Sequence, residues 1–305
     1  MISKNSKIFI AGHKGMVGSA CWRLFKSEGY TNLIGKTSKE LDLRDQLAVE
    51  IFFKEQKPEI IIDAAARVGG IWANNNYSYE FLMDNLLIQN NLIKISHENM
   101  VQKFIFLGSS CIYPKMSQQP IKEEFLLTSS LEESNQWYAI AKIAGVKLVE
   151  SIRNQYNKDF VSLMPTNLYG PGDNYDLKTS HVLPALLRKF KEAIQNNTKE
   201  VIIWGTGKPL REFLHVDDLA KAVLLSVENK LPNSIYNVGS GEEISIKNLG
   251  LLISRIIGFD GKINFDQTKP DGTPRKLLDS SKIKSLGFKN RISLEQGIIS
   301  TLKYI

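Results

Sequence analysis

This 305-residue chain has only two cysteines, Cys21 and Cys111, in unrelated surroundings. So few thiols exclude a disulfide framework and point to a reducing compartment, with the cytoplasm as the expected address. No apolar run approaches the roughly 20 residues that span a bilayer. Met1 to Lys7 is polar and leads directly into a strand, so neither a membrane partner nor a signal peptide is expected. Basic runs interleaved with aromatics are missing, and the formal charge of +7 is spread along the chain. Nucleic acid is therefore not an expected partner. The surplus lysines read as solvated surface or as attraction for an anionic ligand such as a nucleotide. Internal repeats, low-complexity linkers and a metal site are likewise not expected. Hydrophobic content of 43% and charged content of 23% are ordinary for a soluble globular enzyme, and the length suits one large domain or two coupled ones.

Regular punctuation is what the chain does have. Lys7 to Ala11 reads as a strand, followed by Gly12-His-Lys-Gly15-Met-Val-Gly18 and a helix through Phe25. Glycines here let the backbone turn tightly and approach a pyrophosphate, whose charge is favoured at a helix N-terminus. A second strand, Asn32 to Ile34, should end near an adenosine ribose. Where an acid would bind the 2′-hydroxyl of NAD, the chain has Lys36 and Lys39, with Lys14 in the glycine loop. Cations without a carboxylate suit a 2′-phosphate, so NADPH/NADP+ is the expected cofactor. Asp42 is placed to contact the adenine.

Glu59 to Ala66 is an apolar strand ending in small residues, and Arg67 to Asn75 reads as a loop over the nicotinamide side. The helix Tyr79 to Asn99 carries Leu82, Leu86 and Ile93 on one face, with Asn85 as a polar exception. Phe104 to Leu107 is a buried strand stopped by Gly108. Ser109, Ser110 and Cys111 follow at its carboxyl end, where open α/β sheets keep their chemistry. Tyr138 and Lys142 sit four apart on a helix, facing the same way. An ammonium beside a phenol favours the phenolate, so Lys142 is expected to lower the Tyr138 pKa. Strand and helix alternate through Val161 to Met164, which predicts a Rossmann-type, doubly wound parallel sheet over residues 1–168. From 169 to 305 the spacing becomes irregular, with a helix at Leu183 to Gln195 and a strand at Val201 to Trp204. This stretch should form a smaller α/β substrate-binding lobe, with some of the chain recrossing to the first domain.

Taken together, Gly12 to Gly18, SSCIYP at Ser109 to Pro114, YAIAK at Tyr138 to Lys142, PTNLYGP at Pro165 to Pro171 and REFLHVDD at Arg211 to Asp218 resemble the extended short-chain dehydrogenase/reductases that act on nucleotide sugars. Within that family the chain is similar to the GDP-L-fucose synthases, epimerase-reductases of GDP-4-keto-6-deoxy-D-mannose. The matches specific to them are AGHKGMVGSA, AAARVGGIWANN, GSSCIYPK, TSHVLPALLR and Lys269 to Asp279.

The resemblance implies that NADPH delivers a hydride to a C4 ketone while Tyr138 protonates the alkoxide, Lys142 holds the nicotinamide ribose and Ser109 binds the carbonyl oxygen. It assigns acid–base work at C3 and C5 to Cys111 and His181, whose ordinary pKa values of about 8.5 and 6.5 suit proton shuttling. Cofactor contacts would come from Gly12, Lys14, Gly15, Met16, Val17 and Gly18, from Lys36 and Asp42, and from Ala65, Asn85, Lys142, Pro165, Asn167 and His181. Substrate contacts would come from Asn167, Lys189, Trp204, Arg211 and Asp271. Where the family tends to have two arginines this chain has Arg188-Lys189, a point charge in place of a bidentate contact. His215 and Asp217-Asp218 are expected to organise the lobe. The family pairs two helices per subunit in a four-helix bundle, which implies a homodimer through Tyr79 to Asn99 and the helix from Tyr138 to Tyr156, whose apolar stripe is Ile140, Ala144, Leu148 and Ile152. Two alternatives stand beside the epimerase-reductase: a C4-reductase of a GDP-4-keto hexose or heptose, destined for a surface polysaccharide, and a non-catalytic NADP-binding sensor.

Overall fold

The computed structural model describes residues 2–269 and 271–305; Met1 and Pro270, the latter inside the Lys269 to Asp279 run, lie outside the described residues. The chain begins β1 (Ile8–Ala11), α1 (Met16–Ser27), β2 (Leu33–Ile34), α2 (Gln46–Gln56) and β3 (Ile60–Asp63). Next come α3 (Ile71–Asn76), α4 (Ser78–Glu98), β4 (Lys103–Leu107), α5 (Gln136–Tyr156) and β5 (Asp159–Pro165). The second half runs β6 (Asn167–Tyr169), α6 (Val182–Gln195), β7 (Glu200–Trp204), β8 (Leu210–His215), α7 (Val216–Glu228) and β9 (Ile235–Val238). It closes with β10 (Glu243–Ser245), α8 (Ile246–Ile257), β11 (Lys262–Asp266), β12 (Arg275–Lys276), α9 (Ser281–Ser285) and α10 (Leu294–Thr301).

Strands such as Ile8-Phe9-Ile10 and Ile60-Ile61-Ile62 are apolar on both faces, which only a sheet covered on both sides can accommodate. The six parallel strands run in the order β2-β1-β3-β4-β5-β9. One face packs Ile10, Ile62 and Val161 against Cys21, Phe25, Leu219 and Val223 of α1 and α7. The other packs Phe9, Phe104 and Phe106 against Val49, Ile93, Val146 and Val149 of α2, α4 and α5. This is the doubly wound Rossmann-type sheet. Its sixth strand, β9, is drawn from the second half of the chain and pairs with β5. A separate apolar cluster, including Leu187, Phe190, Ile203, Leu249 and Ile253, holds the smaller lobe together.

The chain order reverses at β1, with β2 on one side and β3 on the other. A crevice opens at such a switch point beyond the strands' carboxyl ends. Three stretches differ from the sequence reading. Arg67 to Asn75 is not all loop: Gly70 caps α3, and the Asn74 amide donates back to the Gly69 and Gly70 carbonyls at 2.8 and 3.1 Å. The asparagines that suggest a loop instead fasten a short helix. The apolar stripe of α5 is also displaced. Ala139, Lys142, Val146, Val149 and Ile152 face inward, whereas Ile140 is 40% exposed and Ala144 and Leu148 are half-buried. On α4, Leu82 and Leu86 are half-buried too, because Phe81, Asn85, Gln89 and Leu92 take the inner face.

Candidate active site

The glycine loop fits a dinucleotide by what it omits. Gly12 has φ +76°, in the left-handed region, and a Cβ there would meet the Ala64 carbonyl oxygen at 2.7 Å. At Gly18 a Cβ would stand 2.1 Å from the Gly12 carbonyl oxygen, so the loop can fold onto α1 only without a side chain. Gly15 caps α1 with no side-chain hydrogen bond, which leaves the N–H groups of the first turn, including Met16 and Val17, facing the crevice mouth. Ala65 stands across the loop, with its Cα 3.0 Å from the Gly12 Cβ position. The residues present therefore fit a pyrophosphate at this switch point.

Lys14 and Lys36 are both accessible and both act on the carboxylate of Glu40, an acid that the sequence reading did not weigh. Glu40 accepts from the Thr37 N–H and hydroxyl at 2.8 and 2.7 Å, and these bonds hold its carboxyl below the usual range. Asp42 is paired with Arg44 at 2.8 Å. Asn85 is neither exposed nor free: its Oδ1 accepts from the Arg67 N–H at 2.9 Å, and its amide donates to the Arg67 and Phe81 carbonyls. It ties the segment after β3 to α4.

The chemistry-bearing groups gather past β4. Ser109 Oγ accepts from the Cys111 N–H at 3.2 Å, which leaves the serine proton available to another acceptor. Lys142 is buried and donates to the Leu107 carbonyl at 2.9 Å, and its ammonium lies 6.0 Å from the centre of the Tyr138 ring. The expected lowering of the phenol pKa is not what this geometry produces. Burial pushes the Tyr138 phenol well up, and the Cys111 and Asp63 charges add to that, while the ammonium is engaged by a carbonyl instead. Burial likewise holds Lys142 below its ordinary value, with Asp63 opposing.

Cys111 has two polar neighbours 3.6 Å from its sulfur, Asn135 Nδ2 and Lys276 Nζ. Neither was singled out from the sequence. Asn135 precedes α5, and Lys276 lies deep in the Lys269 to Asp279 run. β12 pairs in parallel with β8 so that Lys276 is the Cα partner of Arg211. Partners in a ladder share a face, so the two cations stand side by side. The buried carboxylate of Glu212 secures this register by accepting from the Gly241 and Leu278 N–H groups at 2.7 and 3.0 Å. Arg211 donates to the Leu210 carbonyl at 2.8 Å; burial lowers its pKa, and Asp271 and Cys111 oppose that.

His181 precedes α6 where the 179–180 backbone abuts Gly69 and Gly70, the Gly70 N–H donating to the Thr179 carbonyl at 2.8 Å. Its ring is accessible from the cleft mouth, yet the surrounding protein and the Lys276 charge hold its pKa below the usual value. Lys276 thus acts on both the thiol and the imidazole.

In the lobe, Trp204 is 53% exposed, with Lys189 and Lys269 ammonium groups 5.5 and 5.7 Å from its ring centre. Lys189 also donates to the Ile202 carbonyl at 2.8 Å, whereas its neighbour Arg188 turns away to Glu192 and the Tyr175 carbonyl. Asp271 accepts from the Thr206 N–H and hydroxyl at 2.7 and 2.8 Å and so locks the turn after Trp204. Asn167 donates to the Glu212 carbonyl at 2.8 Å, and Pro165 is buried at the end of β5. His215 Nδ1 accepts from the Asp217 N–H, and buried Asp218 accepts from the Arg291 and Ile292 N–H groups. Both cysteines are free. Among the described residues there is no cluster fit to hold a metal ion and no helix long and apolar enough to cross a membrane.

A Rossmann-type crevice, a glycine cradle and a Ser–Tyr–Lys set on one rim define a dinucleotide-dependent oxidoreductase or epimerase. The chain belongs to the NAD dependent epimerase/dehydratase family, whose family model matches residues 8–239, and within it to the group of the GDP-L-fucose synthases. It is 54% identical to GDP-L-fucose synthase 1 of Arabidopsis thaliana over 301 residues, 99% of this chain and 93% of that protein. Among solved structures, a GDP-L-fucose synthetase from Naegleria fowleri bound to NADP is 32% identical with a TM-score of 0.91, over 100% of this chain and 93% of that one. A GDP-6-OMe-4-keto-L-xylo-heptose reductase from C. jejuni is 39% identical with a TM-score of 0.93, over 99% and 98% of the two chains.

Proposed function

We propose that this protein is an NADPH-dependent epimerase-reductase that converts GDP-4-keto-6-deoxy-D-mannose to GDP-L-fucose. The observation that carries the reading is the meeting, in one cleft, of Cys111, Lys276 and His181 with Ser109 and Tyr138. A C4 ketone makes the C3 and C5 protons acidic, and inverting those centres needs a base and an acid. Cys111, with the Lys276 ammonium 3.6 Å from its sulfur, takes the proton as the base. His181, whose pKa burial and the Lys276 charge lower, serves as the second acid–base group. NADPH, when bound, supplies the hydride to C4. Ser109 offers its free proton to the C4 oxygen, and Tyr138 delivers its own, which burial keeps on the phenol at neutral pH. Lys142 holds the nicotinamide ribose.

Gly12, Gly15, Gly18 and the first turn of α1 would cradle the pyrophosphate, and Lys14 and Lys36 would meet the 2′-phosphate that distinguishes NADPH. Arg211 and Lys276, two cations on one face, suit the diphosphate of a nucleotide sugar. Trp204, with Lys189 and Lys269 around it, offers an aromatic face to the base, and Asp271 and Asn167 hold these segments in place. Residues 169–305 accordingly carry the sugar nucleotide and 1–168 the cofactor. The enzyme works in the cytoplasm as a homodimer whose four-helix bundle joins α4 and α5 of two subunits. The exposed Met83, Leu87, Trp137 and Ile140 on those helices support that arrangement.

The test is NMR of the purified protein with GDP-4-keto-6-deoxy-D-mannose in heavy water, before and after NADPH addition. Deuterium entering C3 and C5, then a GDP-L-fucose product, is the expected result. Reduction at C4 without exchange would replace the reading by a plain C4-reductase. If this hexose is ignored, a GDP-4-keto heptose, a surface-polysaccharide precursor, becomes the substrate to test, since Lys189 contributes a point charge rather than a fork.

A further inference from the structure

Asp63 ends β3 with its side chain completely buried. Its Cα partners are Ala11 on β1 and Phe106 on β4, and both belong to the apolar cluster beneath α4 and α5. Side chains paired across a parallel ladder share a face, so the Asp63 carboxylate points under α5. There Lys142 holds its ammonium 4.6 Å from the centre of the Phe106 ring. One Asp63 oxygen accepts from the Ala65 N–H at 3.2 Å, and the other has no hydrogen-bond partner. An apolar residue would finish this buried strand without desolvating a carboxylate.

We infer that Asp63 is the buried counter-charge of Lys142, a positioning residue that keeps the lysine charged at the rim where Tyr138 stands. The inference deepens the reductase reading given above and rests on it for its consequence. No hydrogen bond joins the two side chains, so the pair acts through the buried interior, where low dielectric strengthens the interaction of charges. From β1 and β4 the neighbours are apolar. The polar residues that α4 buries, Asn85, Gln89, Asn91 and Ser96, are all neutral, and none of its charged residues is buried. α5 contributes Lys142 and Tyr138, and the Asp63 and Cys111 charges each act on Tyr138. Lys142 is thus the cation that faces Asp63. The couplings agree with this layout: burial raises the Asp63 pKa to about 6 while Lys142 pulls it down, and burial lowers Lys142 while Asp63 pulls it up.

Coupling of this kind is reciprocal and can be read without turnover. In carboxyl NMR of 13C-aspartate-labelled protein, one resonance is expected to titrate near pH 6 and to be missing from Asp63→Asn. In Lys142→Met that midpoint should rise by about one unit or more, and in Lys142→Arg it should stay near the wild-type value. An unchanged midpoint in Lys142→Met would overturn the inference. For turnover, Asp63→Asn should move the basic limb of the kcat–pH profile of NADPH-dependent reduction about one unit toward acid, a roughly tenfold loss above the new limb. An unmoved limb overturns the catalytic consequence. A wild-type protein that reduces no GDP-4-keto sugar would defeat the proposed function, while the NMR comparison would still decide whether Asp63 and Lys142 are coupled.

Discussion

The Lys276 ammonium stands 3.6 Å from the Cys111 sulfur, although 165 positions separate the two residues in the chain. β12 makes the contact possible. It joins β8 in parallel and places Lys276 beside Arg211 on the face that looks toward the end of β4. A thiol so placed has a positive partner, and the same charge adds to burial in lowering the His181 pKa.

Replacing Lys276 by Met should therefore impair epimerisation more than reduction. Deuterium incorporation at C3 and C5 is expected to slow by about 10- to 100-fold, with partial recovery in Lys276→Arg. NMR time courses in heavy water read both reactions in one sample.

Tyr138→Phe should do the reverse. Loss of the proton donor is expected to slow C4 reduction by about 10²- to 10⁴-fold while the C3 and C5 protons still exchange. NADPH absorbance and deuterium wash-in, followed in parallel, check the separation.

Gly18→Ala tests the cofactor cradle. The new methyl would collide with the Gly12 carbonyl, and backbone cannot yield as a flexible side chain can. A destabilisation of about 1–3 kcal/mol is expected, together with at least roughly tenfold weaker NADPH binding, since about 1.4 kcal/mol is tenfold in affinity. Thermal melting and NADPH fluorescence titration measure the two.

Asp173 predicts a pH effect on stability. Burial raises its pKa to about 7, and its Oδ2 has no hydrogen-bond partner. A folded-state pKa above the unfolded one gives stability that is fully present below about pH 4 and lost as the pH rises through about 7. Asp173→Asn should raise Tm at pH 8 and flatten the fall in Tm between pH 5 and 8, as calorimetry across that range would reveal.

Ile140→Glu addresses assembly. Ile140 is 40% exposed on α5, beside the half-buried Ala144 and Leu148. A charge at this position should shift a dimer to monomer in light scattering without altering the far-ultraviolet circular dichroism of the subunit.

Short-range patterning settled a great deal of this protein before any coordinates. The Ile-rich runs at 8–10 and 60–62 have no polar alternation, so they can only be strands covered on both sides, and the glycines at 12, 15 and 18 mark where the first helix must begin. The pairs Ser109/Cys111 and Tyr138/Lys142 lie within one turn or one helix, so local spacing alone brings each pair together. What depended on distant segments was decided by packing. Lys276 meets Cys111 only because β12 finds β8, and no periodicity in the sequence encodes that pairing. Asp63 looks like one polar letter at the end of an apolar strand until the ladder turns it under Lys142. The same holds for the Tyr138 phenol. Spacing sets a lysine beside it, but the fold surrounds it with apolar atoms and hands the ammonium to the Leu107 carbonyl, so burial rather than the neighbouring charge governs its proton.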